Sequence, residues 1–211
     1  MILSLNEVEV MATKAAAGAG RPWGLAQEAG WATAVLEAMG LPGATLLLAL
    51  LRVTDRIDCN ILAPHFGSDG RWRANGPLCP ILCGAYIQDM GGLMTPITVP
   101  SLHAPMLLIP FVQAACPDAA MDWDRADITI HHSQVALRGD PTTTMARHVT
   151  IRPVQLDDFQ TSVFTHSAQP SPVDIPDEMW EGLSAFAHRT YVPASEASRL
   201  NGAGAGLTDN D

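Results

Sequence analysis

Apolar positions recur with helical spacing over the first half of the chain and with strand-like alternation over the middle. Val8, Met11, Ala12 and Ala15 lie on one helical face, and Ser4 with Glu7 three residues on predicts a capping box at its start. The run Ala15-Ala16-Ala17 extends this helix to a stop at Gly18 or Gly20. Pro22 suits the first position of a second helix, read from Trp23 to Met39 with Leu25, Ala29, Ala32, Val35 and Leu36 inward. Gly40-Leu41-Pro42-Gly43 breaks it, and a third helix, apolar all round, follows over 44–52. Residues 53–77 read as a long loop holding a short strand at Trp72-Arg73, and 79–89 as a short apolar helix.

The middle predicts strands at 94–99, 105–114, 127–137 and 148–154. Within 127–137, alternation sends His131 and His132 to opposite faces, so the two imidazoles cannot share a metal without distortion. Arg138-Gly139-Asp140-Pro141-Thr142 is a turn signal, which predicts that its flanking strands pair as a hairpin. A proline-rich stretch then leads to a last helix over 177–191, with Met179, Trp180, Leu183, Phe186 and Ala187 as its apolar stripe. Helices first, then strands, then a helix predict an α+β fold: an N-terminal helical hairpin or bundle, a central mostly antiparallel sheet and a C-terminal helix. We expect one domain over 1–211, with a helical lobe (1–92), a β-rich lobe (93–167) and a C-terminal helix with a glycine-rich tail (168–211) packing back on the first lobe.

Composition narrows the partners. Twelve Lys and Arg stand against twenty-two Asp and Glu, for a formal charge of −10, and no basic run occurs. Nucleic acid is therefore not an expected partner. Only 16% of residues are charged, which leads us to expect a covered surface and hence a homo-oligomer, most simply a dimer. Met1 to Leu5 lacks the basic segment of a signal peptide, and no apolar run is long enough to span a bilayer. The expected location is cytoplasmic, where the four cysteines, Cys59, Cys79, Cys83 and Cys116, read as buried thiols.

Candidate chemistry gathers at two glycine-rich segments. Gly18-Ala19-Gly20 precedes Arg21, and Gly202, Gly204 and Gly206 follow Arg199 near the C-terminus. A dinucleotide fingerprint would need a preceding strand, and Gly24 falls one residue too late for it. Two readings of the first segment remain: an anion site at a helix N-terminus with Arg21 as its cation, or a tight turn that lets two helices pack closely. Glu28, among apolar neighbours, and Glu196 are candidate bases, while Trp23 and Tyr191 are candidate pocket walls. Ser198 and Arg199 complete the ligand-binding set. Asp209 and Asp211 offer oxygen ligands to a divalent cation. No cofactor is indicated.

Residues 3–9, residues 12–30 through Gly18-Ala19-Gly20-Arg21-Pro22-Trp23-Gly24-Leu25-Ala26, and residues 190–211 through Ser198-Arg199-Leu200-Asn201-Gly202-Ala203-Gly204 and Asp209-Asn210-Asp211 together resemble a bacterial family of unknown function. The resemblance implies that the two ends work as a unit. It carries no activity. Two functions are compatible with these residues: an enzyme acting on a small polar or anionic metabolite, and a non-catalytic ligand-binding or accessory subunit of a metabolic complex.

Overall fold

The computed structural model describes residues 1–124, 126–132, 134–154, 166–167 and 172–191. A two-residue strand, β1 (Ile2–Leu3), leads into α1 (Leu5–Gly18), and the capping box forms: the Ser4 amide donates to Glu7 Oε2 at 2.8 Å while the Glu7 amide donates to Ser4 Oγ at 3.3 Å. After the turn come α2 (Trp23–Ala38) and α3 (Gly43–Thr54). The α2–α3 connection is capped from a distance, because Glu37 Oε1 accepts from the Ala44 amide at 2.7 Å. That carboxylate meets amide groups at the start of α3 that have no partner within the helix.

The 53–77 segment is shorter on loop than its composition predicts. It contains α4 (Cys59–Leu62) and an antiparallel pair, β2 (His65–Phe66) with β3 (Trp72–Arg73). Next is α5 (Pro80–Asp89) and then β4 (Ile97–His103). The apolar run at 105–114 is helical rather than a strand: a 3-10 turn over Pro105–Leu108 passes into α6 (Ile109–Ala115). The physical reason is proline. Pro105 and Pro110 each occupy an early helical position, where the locked φ suits a helix and the missing N–H leaves no bond unmade. An apolar run buried on all sides has no period to tell the two conformations apart.

Four strands follow: β5 (Asp118–Trp123), β6 (Ala126–His131), β7 (Gln134–Arg138) and β8 (Met145–Pro153). Two-residue strands β9 (His166–Ser167) and β10 (Val173–Asp174) precede α7 (Asp177–Ala187). The six-stranded sheet has the order β4-β8-β5-β6-β7-β9, and its pairings are antiparallel. β5, β6 and β7 are successive neighbours, and β8 returns to lie beside β5, which is a Greek-key arrangement. The strands flanking Arg138-Gly139-Asp140 therefore do not pair with each other. The turn chemistry at this position is real, but it begins a crossover rather than a hairpin.

The expected single strand over 127–137 is itself a hairpin. His131 pairs with Gln134, and the chain reverses between them. His132 has a φ of +51°, in the left-handed region where histidine is one of the few side chains enriched besides Asn and Asp. This reversal overturns the expectation that His131 and His132 face apart. Their rings lie 4.6 Å from centroid to centroid.

α1, α2, α3 and α7 form a bundle in which α1 packs on both α2 and α7. Alanines at 12, 15, 16, 26, 29 and 32 are buried where these helices meet, so their backbones run close together. Buried side chains continue from Leu36, Leu46 and Leu50 through Phe111 and Val112 to Val99, Met121, Ile128, Val149 and Ile151 on the sheet. Cys79 and Cys83 are buried thiols as expected, whereas Cys59 and Cys116 are half-buried, and all four are free. Among the described residues no helix is long and apolar enough to cross a membrane.

Candidate functional site

The glycine turn between α1 and α2 is a packing device. A β-carbon on Gly18 would collide with the Phe186 carbonyl of α7, so the absent side chain lets α1 and α7 touch. Gly20 has a φ of +93°, a conformation that a β-carbon disfavours. This turn delivers Arg21 inward. The guanidinium is 7% exposed and donates to the Thr54 carbonyl at 2.6 Å and the Ile57 carbonyl at 3.0 Å. It satisfies backbone oxygens at and just beyond the C-terminus of α3, where the helix dipole favours a cation. Of the two readings of this segment, the geometry favours the tight turn, and Arg21 does not face an anion from solvent.

A groove lies on the outer side of the α1–α2 pair. Its wider part, about 440 Å³, is lined by Glu9 of α1, by Gly24, Gln27, Glu28 and Trp31 of α2, and by Gln88 of α5. A narrower part of about 210 Å³ adjoins it across Glu9 and Gln27 and reaches Thr13, Lys14 and Trp23. Trp31 is anchored edge-on to Phe111, with ring centroids 5.2 Å apart, so its indole is a rigid wall. Burial raises the Glu28 carboxyl above its ordinary pKa, and the charge of Asp89 adds to the rise. A carboxyl held back from ionising beside an aromatic wall is suited to accept a proton or to pair with a cation.

Trp23 is 61% exposed at the mouth of the narrower part. Tyr191, 55% exposed, has Lys14 Nζ over its ring at 5.6 Å and stacks edge-on with His188. Glu28 thus lines the wider part and Trp23 the narrower, the two parts sharing Glu9 and Gln27; Tyr191 lies beside Lys14 of the narrower part, and the Arg21 guanidinium is committed to Thr54 and Ile57. Glu196, Ser198, Arg199, Gly202, Gly204, Gly206, Asp209 and Asp211 lie outside the described residues. Glu9, Trp31 and Gln88 were not expected. The first two carry no motif, and Gln88 reaches the groove only through the tertiary placement of α5.

A second, larger cleft of about 860 Å³ lies where β3, α5 and the segment leading into β4 meet. Phe66 and Tyr86 stack at 4.3 Å, and Trp72 packs edge-on against both. Arg71, Arg73 and Asp69 stand nearby, but Asp69 pairs with both arginines.

Comparison with curated proteins found no match, and comparison with solved structures found none. A family model does match, over α1 to β3, about a third of the chain. That stretch supplies both helical walls of the groove, including Glu9, Glu28 and Trp31, and it contains the N-terminal residues on which the resemblance rests. Residues 3–75 match the family described as Protein of unknown function (DUF3726).

Proposed function

We propose that this protein binds and acts on a small polar molecule carrying a cationic group, in the groove between α1 and α2. The observation that carries the reading is Glu28, a carboxyl with a raised pKa beside Glu9 and the anchored Trp31 indole. Two carboxylates and an indole face select for a cation, while the glutamine amides of Gln27 and Gln88 orient polar groups. In this reading Glu28 is the proton acceptor and Trp23 lines the entrance. Of the two arginines that an anionic metabolite would use, the Arg21 guanidinium is committed to Thr54 and Ile57, and Arg199 lies outside the described residues.

A thermal-shift series tests this. Amines and quaternary ammonium ions should stabilise the wild type, and Trp31→Ala and Glu28→Gln should each abolish the shift without unfolding the chain. Equal stabilisation of the wild type and both variants would overturn the groove as the site.

The accessory-subunit reading has one observation of its own. Phe66, Tyr86 and Met90 are exposed around the aromatic cleft, and exposed apolar clusters mark contact surfaces. A homodimer formed there would appear in sedimentation analysis of the full chain and would be weakened by Phe66→Ser. A monomer at all concentrations would remove that homodimer.

A further inference from the structure

We infer that Asp118, His131 and His132 form a binding site for a divalent transition-metal ion of the zinc class, separate from the α1–α2 groove. One ligand atom from each residue lies within 4.8 Å of the others. Donors on a tetrahedral zinc ion at about 2.0–2.2 Å stand roughly 3.3–3.6 Å apart. Closing the set therefore takes a contraction of about an ångström on the longest separation and an opening of about half an ångström between His131 and Asp118, both within reach of side-chain rotation.

The register builds this set. Asp118 opens β5 and is paired directly with His131, which closes β6. His131 Nδ1 lies 2.8 Å from Asp118 Oδ1. The reversal at His132 then brings the second imidazole alongside the first. Its backbone is held on both sides: the His132 amide donates to the Pro117 carbonyl at 2.7 Å, and its carbonyl accepts from the Gln113 side-chain amide of α6. These two bonds support the left-handed backbone that aims the imidazole.

The donor set decides the ion. Two imidazoles and one carboxylate suit zinc, cobalt or nickel, whereas calcium and magnesium take oxygen ligands. When Nδ1 of His131 turns its lone pair to the ion, the ring carries its proton on Nε2. The ion then sits between His131 and Asp118, where the hydrogen bond now runs. The side chains of His131 and Asp118 are 28% and 35% exposed, so the ion has an open path, and water completes its coordination. Three protein ligands with one open position is the arrangement of reactive rather than purely structural zinc sites.

The test uses cobalt and zinc ions alone with the full chain. Cobalt should bind at one equivalent with visible absorption bands of a nitrogen-and-oxygen site, and zinc should displace it. His132→Gly is the key variant, because glycine accepts the backbone angle while removing the ligand. We expect at least a tenfold loss of affinity in His132→Gly and in Asp118→Asn, with His65→Ala unchanged and all variants folded by circular dichroism. No binding to the wild type below millimolar concentration, or equal affinity in His132→Gly, would overturn the site.

Discussion

The Arg21 guanidinium donates to the Thr54 carbonyl at 2.6 Å from inside the protein. A residue that sits beside a glycine pair in the sequence, where it invites an anion-binding reading, instead closes the C-terminus of α3. Arg21→Met should leave these carbonyls without their donor and cost about 2–4 kcal/mol of stability. The measurement is urea unfolding. Affinity for phosphate or sulfate should not change, because the side chain does not serve an anion.

Glu37 gives a pH dependence with a definite sign. Burial pushes its carboxyl up to about 7, against the opposing pull of the Ala44 and Gly43 amides. The fold therefore prefers the protonated form. The stability this gives is complete below the ordinary glutamate pKa and is lost as pH rises through about 7. Glu37→Gln stays neutral and keeps an oxygen for the Ala44 amide. The difference in stability between the wild type and this variant should shift against the wild type between pH 5 and pH 8, by on the order of 1–3 kcal/mol. Paired thermal melts at the two pH values check this.

Two glycines of α2 should respond in opposite directions to alanine. A β-carbon on Gly24 meets nothing within 4 Å, whereas one on Gly30 would run into the Thr13 hydroxyl and come within 2.7 Å of the Glu9 carbonyl. Gly24→Ala should stabilise by up to about 1 kcal/mol through helix propensity. Gly30→Ala should destabilise by about 1–3 kcal/mol by forcing α1 and α2 apart. Melting temperatures of the two variants decide it.

Cation binding in the groove should itself depend on pH. Burial and Asp89 hold Glu28 towards its neutral form, and a bound cation favours the charged form. A quaternary ammonium ion does not titrate, so its affinity should rise as pH increases through the Glu28 transition and fall at acid pH. Calorimetry in two buffers of different ionisation heat would show proton release on binding. Glu28→Gln should remove both effects.

The helical half was legible because its signals are local. Ser4 and Glu7 form their box, Pro22 precedes α2, and Gly40 to Gly43 separates α2 from α3. The sheet was less so. Asp118 to Trp123 was not read as a strand, although its inward residues Ala119, Met121 and Trp123 alternate with Asp118, Ala120 and Asp122. Ala120, on the opposite face, is itself apolar and buried, which blurs that period. His132 defeats a period-two reading because a single left-handed residue reverses the chain. For the site, Glu28 was visible as an acid among apolar neighbours. Trp31 shares its face of α2 by the three-residue spacing, whereas Glu9 and Gln88 reach it only when α1, α2 and α5 pack.

The most direct test of the central claim is a nitrogen-edited NMR titration of the labelled protein with tetramethylammonium ion. The account predicts saturable shifts concentrated on the Trp31 indole N–H and on the Gln27 and Gln88 side-chain amides, absent in Glu28→Gln. Shifts centred instead on the Trp72 indole in the aromatic cleft, or no saturable shift at all, would contradict it.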